Sequence, residues 1–192
     1  GVMWRHEDLF FAALQGGNPG GDPFESPEEI ARTIAEEDRP PMNIHPAAPL
    51  IHGAAQLASW ICFMTAGTVG LVPGRSFRPE QSCALVSDEE MNVVNLVGDA
   101  MARPFGETLA AHPGKYDISN LVALSSAGAI LSDSVREQLE SVLPDAMILN
   151  NFGASETGHQ GTAFYDEEIG KPRFFMGEHT HVLDDQFQMI EP

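Results

Sequence analysis

An α/β fold, with a mostly parallel sheet flanked by helices, is what this sequence predicts. Three observations carry it. Short apolar runs of strand length recur along the chain, amphipathic segments of helical length separate them, and after Thr162 the pattern changes to polar, turn-punctuated strands. Strands joined through helices make right-handed crossovers, so they pair in parallel and are covered on both faces. Residues 1–161 are therefore expected to form the αβ sheet portion, and 162–192 the start of an antiparallel β portion at its edge. With 192 residues and 43% hydrophobic content, the chain can bury the core of one ordinary domain.

The elements follow in order. "GVMW" reads as strand-like, and "RHEDLFFAALQGG" as a short helix with acids in its first turn and glycines after its last apolar residue. A Gly/Pro-rich loop over 17–25 leads to "SPEEIARTIAEE", where Ser26 is the N-cap, Pro27 takes the first helical position and Glu29 closes a capping box. "NIHPAAPLI" is a loop or a short strand, and "HGAAQLASWICFMTAG" a largely buried helix ended by Gly67. "TVGLVPG", "MNVVNLVG", "NLVALSSAG" and Ala146 to Asn150 read as strands. Between them lie the helices "RPEQSCALVSDEE", "DAMARPFGETLAAH" and "LSDSVREQLESVL", the last with Ser132 or Asp133 near its cap. "HVLDDQFQMIEP" reads as a hairpin.

Ten basic residues against 28 acidic ones give a net charge of −18, the wrong sign for a general nucleic-acid or anionic-membrane surface. Any bound nucleotide must be held locally. Cys62 and Cys83 lack a CxxC spacing or a histidine partner, which points to buried free thiols in a reducing, cytoplasmic compartment. No apolar run approaches the roughly 20 residues of a membrane span. The chain opens on Gly1 and closes on Pro192 just past a hairpin, as expected of a piece of a longer protein.

Ligands of an open parallel sheet collect beyond the C-terminal ends of its strands. Two such ends stand out. In "SSAGAI", Ser125 to Ile130, small residues let the backbone approach a flat ligand closely. In "ILNNFGASETG" an apolar strand delivers Asn150, Asn151 and Phe152 to the sheet edge, Gly153 permits a turn, and Ser155, Glu156 and Thr157 follow. An aromatic face can stack on a base, an amide can read its exocyclic amine, a hydroxyl can bond phosphate and a carboxylate can hold Mg²⁺, a set that suits ATP. The same spacing also fits a plain strand end and polar turn.

"NNFGASETG" resembles the aromatic-Gly-x-Thr-Glu signature of the adenylate-forming superfamily, which includes acyl-CoA synthetases, aryl-CoA ligases, firefly-type luciferases and amino-acid adenylation domains. "SSAGAILSDSVREQLESVLP" resembles that family's Ser-Gly-Gly-Ala-Pro-Leu segment and the helix after it; "APLIHGAAQ" is similar to its Pro-Leu-Phe-His segment, and "GVMWRHEDLF" to the sequence following its phosphate loop. The resemblance implies that Ala127, Gly128 and Ala129 line an adenine pocket, that Phe152 stacks, and that Asn151 or Asn150 lies near the base amine. It further implies that Ser155 contacts the α-phosphate, Glu156 holds Mg²⁺, and His52 lies at the acyl channel, where a helix-start histidine satisfied by backbone is the other reading. Phe152 stands where Tyr is commoner, Ser155 where Thr is, and Ala127 and Ile130 where Gly and Pro are.

The implied reaction activates a carboxylic acid with ATP to acyl-AMP, then forms a coenzyme A thioester. The family's phosphate loop lies upstream of these residues, and its ribose-binding aspartate, hinge and C-terminal lid domain downstream, so the chain alone is expected to be inactive. Leu57, Trp60, Ile61 and Met64 after His52 could line an apolar channel, though packing against the sheet explains most of them. The related amino-acid adenylation domains use an aspartate near this segment, and none lies between Ile44 and Trp60, so the resemblance favours an apolar acid over an amino acid. The whole segment looks closest to actinobacterial-type fatty or steroid acyl-CoA synthetases. Alternatives are an acyl-AMP ligase serving a carrier protein, a noncatalytic nucleotide- or partner-binding fragment, which self-association of the isolated chain into a homo-oligomer would favour, and a metal hydrolase using His159, His179, His181, Glu178 and Asp184.

Overall fold

In the computed structural model, residues 2–18, 21–37, 40–166, 171–176 and 181–190 are described. Four strands pair in parallel in chain order: β1 (Ile44–Pro46), β2 (Val93–Leu96), β3 (Ala123–Ser126) and the first half of β4 (Met147–Ala154). The sheet then turns antiparallel through β5 (Gly158–Asp166) and β6 (Lys171–Met176), giving six strands in sequential order. The antiparallel part thus begins at Gly158, before Thr162, because the polar turn at 155–157 reverses the chain directly into its partner strand.

Before β1 lie α1 (His6–Asp8) and α2 (Pro27–Glu37); between the strands lie α3 (Gly53–Met64), α4 (Pro79–Asp88), α5 (Gly98–Ala111) and α6 (Asp133–Val142). Side chains alternate along a strand, and the alternation decides which residues enter the main core. Val94, Leu96 and Leu124 face Cys83 and Val86 of α4, Phe105 and Leu109 of α5, and Val135 and Leu139 of α6 in one buried cluster. The intervening Asn95, Ser125 and Asn151 point away from that cluster. Outside it, α3 packs against β1 and β2, and α2 against α3.

The expected strand "TVGLVPG" is not formed. Val69 makes only an isolated bridge to Ile44, and the edge strand is β1 instead. Gly70 has no side chain to pack, a Cβ there would lie 2.8 Å from Met91, and Pro73 lacks a ladder donor. "GVMW" is likewise not a strand over its described residues 2–4. The first helix is mixed, α1 running into a π-helical turn over Leu9–Ala13 and a 3-10 turn over Gln15–Gly17. In α2, Ser26 accepts from the Glu29 amide at 3.3 Å, while the Glu29 carboxylate reaches the Glu25 amide at 2.7 Å, one residue beyond the capping-box partner. Leu183 and Met189 form the expected hairpin contact, residues 191 and 192 lying outside the described set.

Both thiols are buried and free. Burial pushes Cys83 up to about 12, so it stays a protonated core residue. Among the described residues, no helix is long and apolar enough to cross a membrane.

His45 is buried between the Gly70 carbonyl, 2.8 Å from Nδ1, and the Ser82 hydroxyl, 3.1 Å from Nε2. Burial holds it below its ordinary value of 6.5, so the unfolded chain accepts a proton that the folded one resists. Its contribution is complete above pH 6.5 and is lost as pH falls below that toward the folded value. Urea unfolding across pH 7 to 5 should show a steeper acid loss for the native protein than for His45→Asn. In the same assay Phe105→Ala, which empties the centre of the cluster, should cost about 3–5 kcal/mol, and Glu107→Gln on the exposed face less than about 0.5 kcal/mol.

Candidate functional site

Asn150, Asn151 and Phe152 lie inside β4, which runs on to Ala154. Gly153 therefore does not make the turn; residues 155–157 do, with the Thr157 amide 3.2 Å from the Ala154 carbonyl. What Gly153 permits is close approach. The register slips between Phe152 and Gly153, and a Cβ on Gly153 would sit 2.3 Å from the Gly158 carbonyl oxygen.

Strand alternation separates the two asparagines. Asn151 points away from the main core, where its amide donates to Ser125 Oγ at 2.8 Å and its oxygen accepts from Thr162 Oγ1 at 2.7 Å. The row extends at both ends. Asn95 Nδ2 lies 3.4 Å from Ser125 Oγ, and His159 Nε2 3.0 Å from Thr162 Oγ1. Asn95 Oδ1 is buried without a partner among the described residues, a condition that costs about 1–3 kcal/mol unless water or a ligand meets it.

Asn150 and Phe152 occupy the other face. Asn150 pairs with Ser126 on one side and Ala163 on the other, and its amide has no hydrogen bond among the described residues. Phe152 is 50% exposed and meets Phe174 edge-to-face at 5.9 Å, which leaves part of the ring open. Beyond β3 the Ala127 amide bonds the Leu96 carbonyl at 3.2 Å; Gly128 then takes φ +79° with nothing within 4 Å of where a Cβ would stand. Ala129 and Ile130 continue the exposed loop.

The 155–157 turn is held by segments far away in sequence. Trp4 Nε1 donates to the Ser155 carbonyl at 2.9 Å. Gly158, at φ +71°, lies so close to the π-helical turn that a Cβ would fall 2.8 Å from Ala13 Cα. From a third side Gly53 opens α3 against the Ser155 hydroxyl, a Cβ position 3.2 Å from Oγ. His52 is exposed at the N-cap of α3 and makes no side-chain cap, which removes the backbone-satisfied alternative among the described contacts. Trp4, Ala13, Gly53 and Gly158 were not singled out by the sequence reading, and no local pattern announces contacts of this kind.

Ser155 and Glu156 are exposed at the turn, and the Glu156 carboxylate has no partner among the described residues. A lone carboxylate fits Mg²⁺, which takes one or two carboxylates and completes its shell with phosphate oxygens and water. The hydrolase alternative has no such support. Among the described residues no three metal-ligating side chains converge; His159 is engaged with Thr162, and Glu178 and His179 lie outside the described residues.

A mostly parallel sheet thus presents a small-residue loop, a half-exposed aromatic ring and a hydroxyl–carboxylate turn at the C-terminal ends of neighbouring strands, where open α/β sheets collect their ligands. The chain belongs to the family described as AMP-binding enzyme, which it matches over residues 1–191. It is 38% identical over its whole length to the medium/long-chain-fatty-acid–CoA/3-oxocholest-4-en-26-oate–CoA ligase of Mycolicibacterium smegmatis, and 34% identical to the 3-oxocholest-4-en-26-oate–CoA ligase of Rhodococcus rhodochrous. It spans 35% of the length of each of those relatives. Among solved structures it is similar in fold to the amide bond synthetase McbA of Marinactinospora thermotolerans, with a TM-score of 0.63 and 18% identity over 85% of this chain and 33% of that one. The luciferase-like enzyme of the mealworm Zophobas morio gives a TM-score of 0.60 and 17% identity over 85% of this chain and 40% of that one.

Two of the left-handed glycines, Gly128 and Gly158, should respond differently to alanine. Gly128→Ala adds only backbone strain in open space, whereas Gly158→Ala adds strain and a backbone collision. Thermal unfolding should therefore show a loss of about 1 kcal/mol for Gly128→Ala and a clearly larger one for Gly158→Ala.

Proposed function

We propose that these residues are the nucleotide-binding part of an acyl-CoA synthetase that activates an apolar carboxylic acid, fatty or steroid, with ATP. The observation that carries the reading is the 155–157 turn, whose backbone is held by Trp4 and by the close packing of Gly158 on Ala13, while the Ser155 hydroxyl and the Glu156 carboxylate have no hydrogen-bond partner among the described residues. Adenine lies against the Ala127, Gly128 and Ala129 backbone and stacks on the open part of Phe152, with Gly153 keeping the strand close behind it. Of the two asparagines, Asn150 reads the base amine, since Asn151 already holds Ser125 and Thr162.

A carboxylate oxygen of the acid attacks the α-phosphorus, the bond to pyrophosphate breaks, and acyl-AMP forms. The coenzyme A thiol then gives up its proton and attacks the acyl carbonyl, expelling AMP. Ser155 donates to the α-phosphate and His52, one residue from the Gly53–Ser155 contact, borders the acid. Glu156 would hold Mg²⁺, which when bound supplies neutralisation of phosphate charge. The protein's share is to position reactants and stabilise charge.

The names of the relatives support coenzyme A as acceptor and a fatty or steroid acid as substrate. Free buried thiols agree with a cytoplasmic setting. Because the chain spans 35% of those relatives, turnover is expected of the full-length protein and not of these residues alone.

ATP–pyrophosphate exchange by the full-length protein, across fatty, aryl, steroid and amino acids, tests this. Exchange should depend on a fatty or steroid acid and fall at least about a hundredfold in Glu156→Gln. Exchange with amino acids alone would overturn the substrate class. Unchanged exchange in the variant would remove Glu156 from the metal role, and acyl-AMP formation without thioester when coenzyme A is supplied would favour delivery to a carrier protein.

A further inference from the structure

We propose that Asp99 is a positioning residue for nucleotide, acting through the loop 127–131. The inference rests on the reading that Ala127 to Ala129 border adenine. Ser132 is the N-cap residue of α6, yet its hydroxyl does not cap that helix. It donates instead to Asp99 Oδ2 at 2.7 Å, while the Ser132 amide donates to Asp99 Oδ1 at 2.8 Å. The Asp99 amide in turn donates to the Ile130 carbonyl at 3.0 Å. One residue at the start of α5 thus binds the outgoing end of the loop three times.

Its neighbour binds the incoming end. The Gly98 amide donates to Ser126 Oγ, fully buried, at 3.0 Å, and the Ala127 amide returns to Leu96 at 3.2 Å. Gly98 sits at φ +51° with no room for a side chain, since a Cβ would stand 2.6 Å from the Ile130 carbonyl oxygen and 2.8 Å from Ala129 Cβ. The loop is therefore strapped at both ends to the β2–α5 junction, while Gly128 stands in open space and the Ile130 side chain is 84% exposed.

Asp99 lies partly exposed, its pairing with Arg103 at 3.3 Å is a surface contact of small worth, and α5 begins without side-chain capping. Burial alone would raise the Asp99 carboxyl, but the Ser132 hydroxyl and amide and then Arg103 outweigh it and hold it below the usual carboxylate range. The carboxylate is thus the charged acceptor that two Ser132 donors require at neutral pH.

The test uses the full-length protein with Asp99→Ala, Asp99→Asn and Ser132→Ala, read by ATP and acid KM in pyrophosphate exchange and by hydrogen exchange of the 126–133 amides. Asp99→Ala should raise the KM for ATP about tenfold with the KM for acid unchanged, Ser132→Ala should raise it less, and Asp99→Asn should recover part of the loss. Exchange of the loop amides should quicken in the same order. An equal fall in kcat with both KM values unchanged, or loop exchange identical to the unmutated protein, would overturn the inference. If the unmutated protein showed no pyrophosphate exchange with any acid, the functional reading would fall and take the nucleotide role of Asp99 with it. The amide exchange would then show separately whether Asp99 holds the loop.

Discussion

β4 carries the constraint on which the site depends: one strand must pair in parallel with β3 over Met147–Asn150 and antiparallel with β5 over Asn150–Ala154, without a break. A strand doing both has no freedom of register. Because side chains alternate with a period of two, a slip of one residue would exchange Asn151 with Asn150 and Phe152 across the sheet. The polar row from Asn95 to His159 resists that slip, since only Asn151 can meet Ser125 and Thr162 together. Its worth is more in fixing which face each residue takes than in stability, a net 0.5–1.5 kcal/mol or so for each such bond.

Once register is fixed, the turn after Ala154 has a defined place, and the rest of the chain converges on it. Trp4 and the π-helical turn come from the N-terminal segment, and Gly53 from the start of α3. Two of these contacts run through glycine: a side chain at Gly158 would collide with the Ala13 backbone, and one at Gly53 would press on the Ser155 hydroxyl. The result separates two demands that usually conflict. Backbone atoms at 155–158 are tied down, while the Ser155 hydroxyl and the Glu156 carboxylate have no hydrogen-bond partner among the described residues and keep their capacity for a ligand.

How much of this could be read from the sequence depends on the range of the interaction. β2, β3 and β4 with α4, α5 and α6 were legible, because period-two and period-3.6 apolar patterns are local and their cluster is strongly buried. "TVGLVPG" misled because its apolar residues resemble a strand, whereas Gly70 packs against Met91 and β1 takes the edge. The mixed first helix could not be foreseen, since its wide turn is matched to Gly158, far along the chain. At the site, the signature residues were visible as a motif. What fixes them was not: Trp4 and Ser155 are separated by 151 positions, and Ser132 looks like an ordinary N-cap until Asp99 is seen beside it.

The charge of the chain sharpens what the site must do. A net −18 opposes any polyphosphate at long range, and several described cations are already engaged, Arg5 with Asp8, Arg103 with Asp99, and Arg136 with Glu140. Screening confines that repulsion to roughly 8–10 Å at ordinary ionic strength, so a nucleotide is decided by what lies within contact distance. There the chain offers neutral donors and surfaces: the open backbone at Gly128, the Phe152 ring and the Ser155 hydroxyl. Groups of this kind orient an anion more than they attract it. On the proposed reading, geometry at the two strand ends, set by the β4 register and by the contacts of Gly98 and Asp99 with the 127–131 loop, matters more to the nucleotide than the chain's long-range field.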